Sequence, residues 1–174
     1  MHRLIPPATP LQYFAYGSNM SHRRLRARVP SASKLANATL YRHRLCFHKR
    51  GQDGSAKCDA LQGADLKYQV RGVLFEISAA DKPGLDRLEG LGVGYAVKDV
   101  AVRLDNGALI QAYTYSAMLI DPALRPYHWY KEHVLRGAIE NQLGTAYIAS
   151  IQQVESIADP NPERHVHELA IYLP

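Results

Sequence analysis

Two groups of residues in this chain are of types that could do chemistry together. Residues 13–19 read Tyr-Phe-Ala-Tyr-Gly-Ser-Asn, an apolar, aromatic run that stops in a Gly-Ser-Asn turn. Glycine lets the backbone approach a ligand closely and take positive φ. Consecutive N–H groups in such a turn make a small anion or oxyanion site. The second group is Leu85-Asp86-Arg87-Leu88-Glu89-Gly90, followed by Leu91-Gly92-Val93-Gly94-Tyr95. Leu85 and Leu88 have helical spacing and Gly90 is a C-terminal stop. Glu89 is therefore expected at a helix end, ahead of a glycine-rich loop. Helix C-termini favour cations, so a carboxylate there is either a solvated glutamate at a frayed end or a general base tuned by its surroundings.

Other chemistry-bearing residues are weaker candidates. Ser18 lies in a Gly-Ser-Asn turn, which is not the Gly-x-Ser-x-Gly elbow of hydrolases. The two cysteines, Cys46 and Cys58, make no disulfide framework and no zinc spacing. They are expected as buried, reduced thiols. Cys58 follows Asp53-Gly-Ser-Ala-Lys57 without a dedicated histidine base nearby. His43, His48, His128 and His133 lack metal-binding spacing and are expected at the surface or satisfied in the core.

The elements that must position these groups follow from pattern. Strands are expected at Gln12–Tyr16, at Ala38–His48 as one long element, at Lys57–Leu61 and at Gln69–Ile77, with helices at Ser21–Arg28 and Ala80–Leu88. Asp105-Asn106-Gly107 joins Tyr95–Leu104 to Ala108–Ser116 as a hairpin, because Asn-Gly accepts the φ values of a type I′ turn. Two helices should follow. The first has Pro126 in its first turn and a stripe of Leu135, Ala138, Ile139 and Leu143; the second is capped by Thr145, with Ile148, Ile151 and Val154 or Ile157 inward. Residues 159–174 form a docked or loose tail, and Met1–Pro10 an extended arm. Strands and helices without regular βαβ alternation argue for an α+β fold in a single domain over 1–174.

Composition narrows the class. With 47% hydrophobic and 21% charged residues the chain is ordinary for a globular protein. No apolar run approaches the roughly 18 residues of a membrane span, and the start of the chain has no signal-like apolar core, so a cytoplasmic protein is expected. The net charge of +5 is uneven: residues 1–60 hold 11 Lys and Arg against 2 acids. Such a footprint can attract nucleic acid or small anionic substrates. A solvated helix face is the simpler explanation, since the aromatics here lack the spacing of an RNA platform.

The blocks YFAYGSNM (13–20), DGSAK (53–57), RGVLFEIS (71–78), LDRLEG (85–90) and YKEHVLRGAIENQL (130–143), in this order, resemble the γ-glutamylcyclotransferase family from about residue 12 to residue 157. That resemblance implies a small, mixed β-barrel flanked by helices. It implies a reaction in which the α-amino group of a γ-glutamyl unit attacks its own γ-carbonyl, releasing 5-oxoproline and a free amine, as in glutathione metabolism. No cofactor and no metal are implied, and the partner is a small γ-glutamyl substrate. By the family's pattern Glu89 is the general acid/base. An unperturbed pKa of about 4.3 is low for that role, so burial or the helix dipole should raise it. Tyr13, Phe14, Ala15, Tyr16, Gly17, Ser18 and Asn19 map to the substrate-binding stretch. The Gly17 and Ser18 amides would hold the oxyanion or the substrate α-carboxylate. Tyr130 maps to a tyrosine contacting substrate, with core packing as the alternative; Tyr95 is a weaker candidate.

Ala56 departs from the pattern, which favours a second glycine there. Asn19, where glutathione-acting relatives carry leucine, leans toward γ-glutamyl amino acids and peptides. The same fold acting on a different γ-glutamyl amide, or a binding module using the basic N-terminal third, are the competing functions. Oligomeric state is open between monomer and homodimer.

Overall fold

A computed structural model describes residues 9–174; the expected arm lies largely outside them. Strand β1 (Leu11–Ala15) runs through a short 3-10 turn (Ser18–Met20) into helix α1 (His22–Arg28). Ser21 caps α1 by accepting from the Arg24 N–H, which satisfies one of the donors a helix start leaves open. Then come β2 (Ser33–Tyr41), β3 (His43–Arg50), β4 (Ala56–Gln62), β5 (Gln69–Ile77) and helix α2 (Lys82–Glu89). The chain continues through β6 (Tyr95–Leu104), β7 (Leu109–Ala117), α3 (His128–Glu140), α4 (Thr145–Gln152) and α5 (Pro162–Leu169).

Five strands close into a barrel in the order β1-β5-β2-β6-β7. Every pairing is antiparallel except the closing one, where Tyr13 meets Tyr113 in parallel. The expected mixed barrel flanked by helices is therefore present. Its interior is filled by alternate residues such as Phe14, Val70, Leu74 and Val102, all buried.

Four expectations need correction. The single strand Ala38–His48 is two strands in two sheets. Arg42 has φ 57°; its N–H donates to the Tyr68 carbonyl and its carbonyl accepts from Gly63. The chain leaves the barrel there and forms the separate β3–β4 hairpin. Pro126 precedes α3 rather than opening it: its carbonyl accepts from the Ile157 N–H, and the helix begins at His128. Ile139 is 49% exposed, because the inward face of α3 is Tyr130, His133, Val134, Gly137 and Ala138. Thr145 is the first residue of α4, and Gly144 is the cap. Of the residues expected inward from α4, Ile151 is buried and Ile157 exposed.

The tail is docked. Asp159 accepts from the Trp129 indole at 2.7 Å and from Arg164. Glu168 pairs with Arg24 at 2.8 Å, and the Tyr172 hydroxyl donates to Ser21 Oγ at 3.1 Å.

Candidate active site

Glu89 is the last residue of α2, and Gly90 ends the helix with φ 69°, the left-handed cap that glycine adopts without strain. Helix α2 is held to the barrel rim three residues earlier. Asp86 accepts from the Tyr115 hydroxyl at 2.6 Å and from Lys82, and Tyr16 in turn donates to the Tyr115 carbonyl at 2.5 Å. The Glu89 side chain is therefore delivered over the end of β1.

There it meets the Gly-Ser-Asn turn. Asn19 Nδ2 donates to Glu89 Oε1 at 2.9 Å and to the Tyr13 hydroxyl at 3.1 Å. Arg28 Nη1 donates to the same Glu89 oxygen at 3.3 Å. The guanidinium supplies the cation that a helix C-terminus favours. Among the described residues, the N–H groups of Gly17, Ser18 and Asn19 find no acceptor within the chain.

Tyr13, Tyr16, Gly17, Ser18, Asn19, Glu89, Tyr95 and Tyr130 line one small hollow of ≈ 30 Å³. Ser18, Glu89, Tyr95 and Tyr130 also line an adjoining cleft of ≈ 560 Å³, within the range of about 300–1,000 Å³ typical of ligand pockets. Phe14 and Ala15 line neither; both are buried in the barrel wall against Gly72. The Tyr130 hydroxyl accepts from the Cys58 N–H at 2.9 Å, and Tyr95 donates to the Cys58 carbonyl at 2.5 Å. Both side chains thus hold β4 beside the turn while lining the hollow. Burial above all pushes the phenols of Tyr13, Tyr16, Tyr95 and Tyr130 well above their ordinary value, so they serve as neutral hydroxyls.

Cys58 is not placed for nucleophilic work: burial pushes its thiol far up, away from the thiolate that reacts. Cys46, expected buried, is only half-buried. The four histidines are separated into different contacts, His43 with Lys98, His48 with Asp59, His128 with Ser156 and His133 with Glu168. Among the described residues no group of three His, Cys, Asp or Glu could hold a metal ion, and no helix is long and apolar enough to cross a membrane.

The profile of the AIG2-like family matches residues 69–151, a span that contains Glu89, Tyr95 and Tyr130. γ-Glutamylcyclotransferase of Homo sapiens is 30% identical over 149 residues, covering 82% of this chain and 78% of that protein. The Bos taurus protein of the same name is 29% identical over 150 residues, with the same coverage of both chains. A solved γ-glutamyl cyclotransferase structure superposes with a TM-score of 0.80 at 26% identity, covering 88% of this chain and 92% of that one. The chain belongs to the γ-glutamylcyclotransferase family. Within this γ-glutamylcyclotransferase fold, Arg28 touches Glu89 and the Asp86–Tyr115 pair holds its helix, three candidate residues that the sequence did not reveal. Arg28 was hidden in a basic run that looks like a solvated helix face. Asp86 lies one turn before Glu89 and carries no signal of its own until Tyr115 is brought beside it.

Proposed function

We propose that this protein converts a γ-glutamyl amino acid or peptide to 5-oxoproline and a free amine, with Glu89 as general acid and base. The observation that carries this reading is the 2.9 Å hydrogen bond from Asn19 to Glu89. It joins a carboxylate to a turn with open amides, beside a cleft of ≈ 560 Å³ that Ser18 and Glu89 both line. The α-amino group of the substrate, with a pKa of roughly 8 in peptides, gives its proton to Glu89 and attacks the γ-carbonyl. The Gly17 and Ser18 amides receive the developing oxyanion or the α-carboxylate; a lost oxyanion donor typically costs about 3–4 kcal/mol. Glu89 then returns the proton to the departing amine. Nucleophile and electrophile share one molecule, so holding the glutamyl chain folded contributes about 7–11 kcal/mol, and the reading requires no metal or cofactor.

One feature weighs against the binding-module alternative. Arg24 and Arg28, from the most basic stretch, are engaged by Glu168 and Glu89 rather than spread on an open face. The unpaired Cys46 and Cys58 thiols suit a reducing, cytoplasmic setting. The test is 5-oxoproline release from a panel of γ-glutamyl amino acids, glutathione and γ-glutamylamines, with and without EDTA. Release from γ-glutamyl amino acids or peptides that survives chelation is expected. Release from none of the panel, or release restored to chelated enzyme only by a divalent ion, overturns the reading.

A further inference from the structure

The cleft beside Glu89 carries more positive charge than the reaction at Glu89 uses. Its six cations and three carboxylates make three ion pairs: Arg24 with Glu168, Arg28 with Glu89 and Lys57 with Asp53. Among the described residues Lys49, Arg50 and Arg87 are left without an anionic partner. Arg50 and Arg87 are exposed, and a solvated arginine needs none. Lys49 is different. It is only 7% exposed, and burial lowers its pKa, an effect the charges of Glu89 and Asp53 partly offset; yet among the described residues no carboxylate pairs with its ammonium, which stands over the face of the Tyr95 ring at 4.5 Å.

Local structure aims Lys49 into the cleft. The β3–β4 register shifts between Phe47 and Lys49, and a bulge of this kind re-aims the next side chain. The glycine-rich loop makes room for it: a Cβ at Gly94 would stand 2.6 Å from Lys49 Nζ. Both devices hold the Lys49 ammonium at the wall of the open cleft, its stem buried and its tip within reach of an anion that enters.

We propose that this cleft binds the leaving amine through its carboxylates, with Lys49 as the specificity-determining cation. The substrates are then γ-glutamyl conjugates of an acidic amino acid or of a short acidic peptide. The assignment rests on the cyclotransferase reading above. The γ-glutamyl unit lies against Glu89 and the Gly17 turn where the hollow opens into the cleft, while the amide nitrogen points outward. The side-chain carboxylate of the released amine reaches Lys49, and its α-carboxylate finds Arg50 or Arg87 at the mouth.

The deciding experiment compares kcat/KM for γ-glutamyl-glutamate and γ-glutamyl-glutamine, which are close in shape and differ by one charge. The wild type should favour the glutamate conjugate roughly tenfold or more, the size of one charge-assisted contact. Lys49→Met should bring the ratio near one, and Lys49→Arg should restore most of it. A purely structural role would lower both rates together and leave the ratio standing. Lys49→Gln carries the comparison if Lys49→Met does not fold. A wild-type ratio near one, or a ratio that survives loss of the ammonium, overturns the proposal. If no γ-glutamyl compound is turned over, the cyclotransferase reading fails on its own. Calorimetry with free L-glutamate and L-glutamine then judges the cleft: glutamate must bind more tightly to the wild type and lose that advantage in Lys49→Met.

Discussion

One helix serves two carboxylates, and the two sites behave differently. Arg24 and Arg28 stand four residues apart on one face of α1. Arg24 binds Glu168 at 2.8 Å, while its Nη1 lies 3.1 Å from His133 Nε2. His133 Nδ1 lies 2.7 Å from the Tyr172 hydroxyl, which donates to Ser21. Burial works against ionisation of Glu168, but hydrogen bonds and charge from His133 and Arg24 hold its carboxyl down at about 2. Arg28 reaches Glu89 only at 3.3 Å, and beyond it lie open amides rather than closed partners. Both glutamates are largely buried, with side chains 23% and 15% exposed, so burial does not tell them apart. The surroundings do. Glu168 also lines the cleft, but its hydrogen-bonding partners Arg24 and His133 are the seat of the docked tail; Glu89 is tethered instead to Asn19, in a turn whose amides have no acceptor among the described residues. The first arrangement holds structure together, and the second is available for chemistry.

The largest expected effect separates the two glutamates. Glu89→Gln keeps shape and removes the proposed base, so turnover should fall by about 10²–10⁴-fold with little change in Tm. Glu168→Gln should do the reverse. Weakening a charged hydrogen-bond cluster costs about 1–3 kcal/mol, and Tm falls by roughly 2–4 °C per kcal/mol in a chain this size. Kinetics and melting curves on the same preparations check both; matching losses in both variants would erase the distinction.

Acid should break the tail site. Burial, before any other influence, lowers His133 to about 4 from 6.5, so the unfolded chain takes its proton first. The stability that neutral His133 provides is complete above about pH 6.5 and is lost as pH falls from there toward 4, to a total of about 3 kcal/mol. The depressed Glu168 adds a second loss between about pH 4.5 and 2. Melting temperature followed from pH 7 to 4 should decline, and His133→Asn should flatten the decline above pH 4.5. An unchanged slope in that variant would remove His133 from the account.

The smallest effect belongs to Tyr130→Phe, which deletes the hydroxyl that accepts from Cys58. One buried hydrogen bond is worth about 0.5–1.5 kcal/mol. If Tyr130 also contacts substrate, KM rises beyond what the melting curve explains. Unchanged kinetics with a lowered Tm would leave Tyr130 as packing alone.

Much of this was legible in the sequence where local chemistry is decisive. The Asn106-Gly107 hairpin and the Gly90 helix stop each rest on local residue preference and stand where expected, although of the turn pair only Gly107 takes positive φ, so the turn is not the expected type I′; Ser21, expected inside α1, is its cap. What failed lacked such a signature. Arg42 takes positive φ without being glycine, so nothing marks the break between β2 and β3. Ile139 fits a helical stripe by spacing, but the side of α3 that faces the 3-10 turn is decided by tertiary packing. Nor could spacing bring Asn19 to Glu89, Arg28 to Glu89 or Lys49 to Gly94. Those contacts join segments far apart in the chain, and only the barrel's closure sets them side by side.

The central claim is that Glu89 and the Gly17 turn form one reacting site. A crystal structure of Glu89→Gln with a γ-glutamyl amino acid tests it most directly, because substrate should bind and remain uncleaved. The account predicts the glutamyl α-amino group within about 2.6–3.2 Å of the residue 89 side chain, with a substrate oxygen on the Gly17 or Ser18 amide. Intact substrate seated away from both, or 5-oxoproline accumulating in the crystal at the wild-type rate, would contradict it.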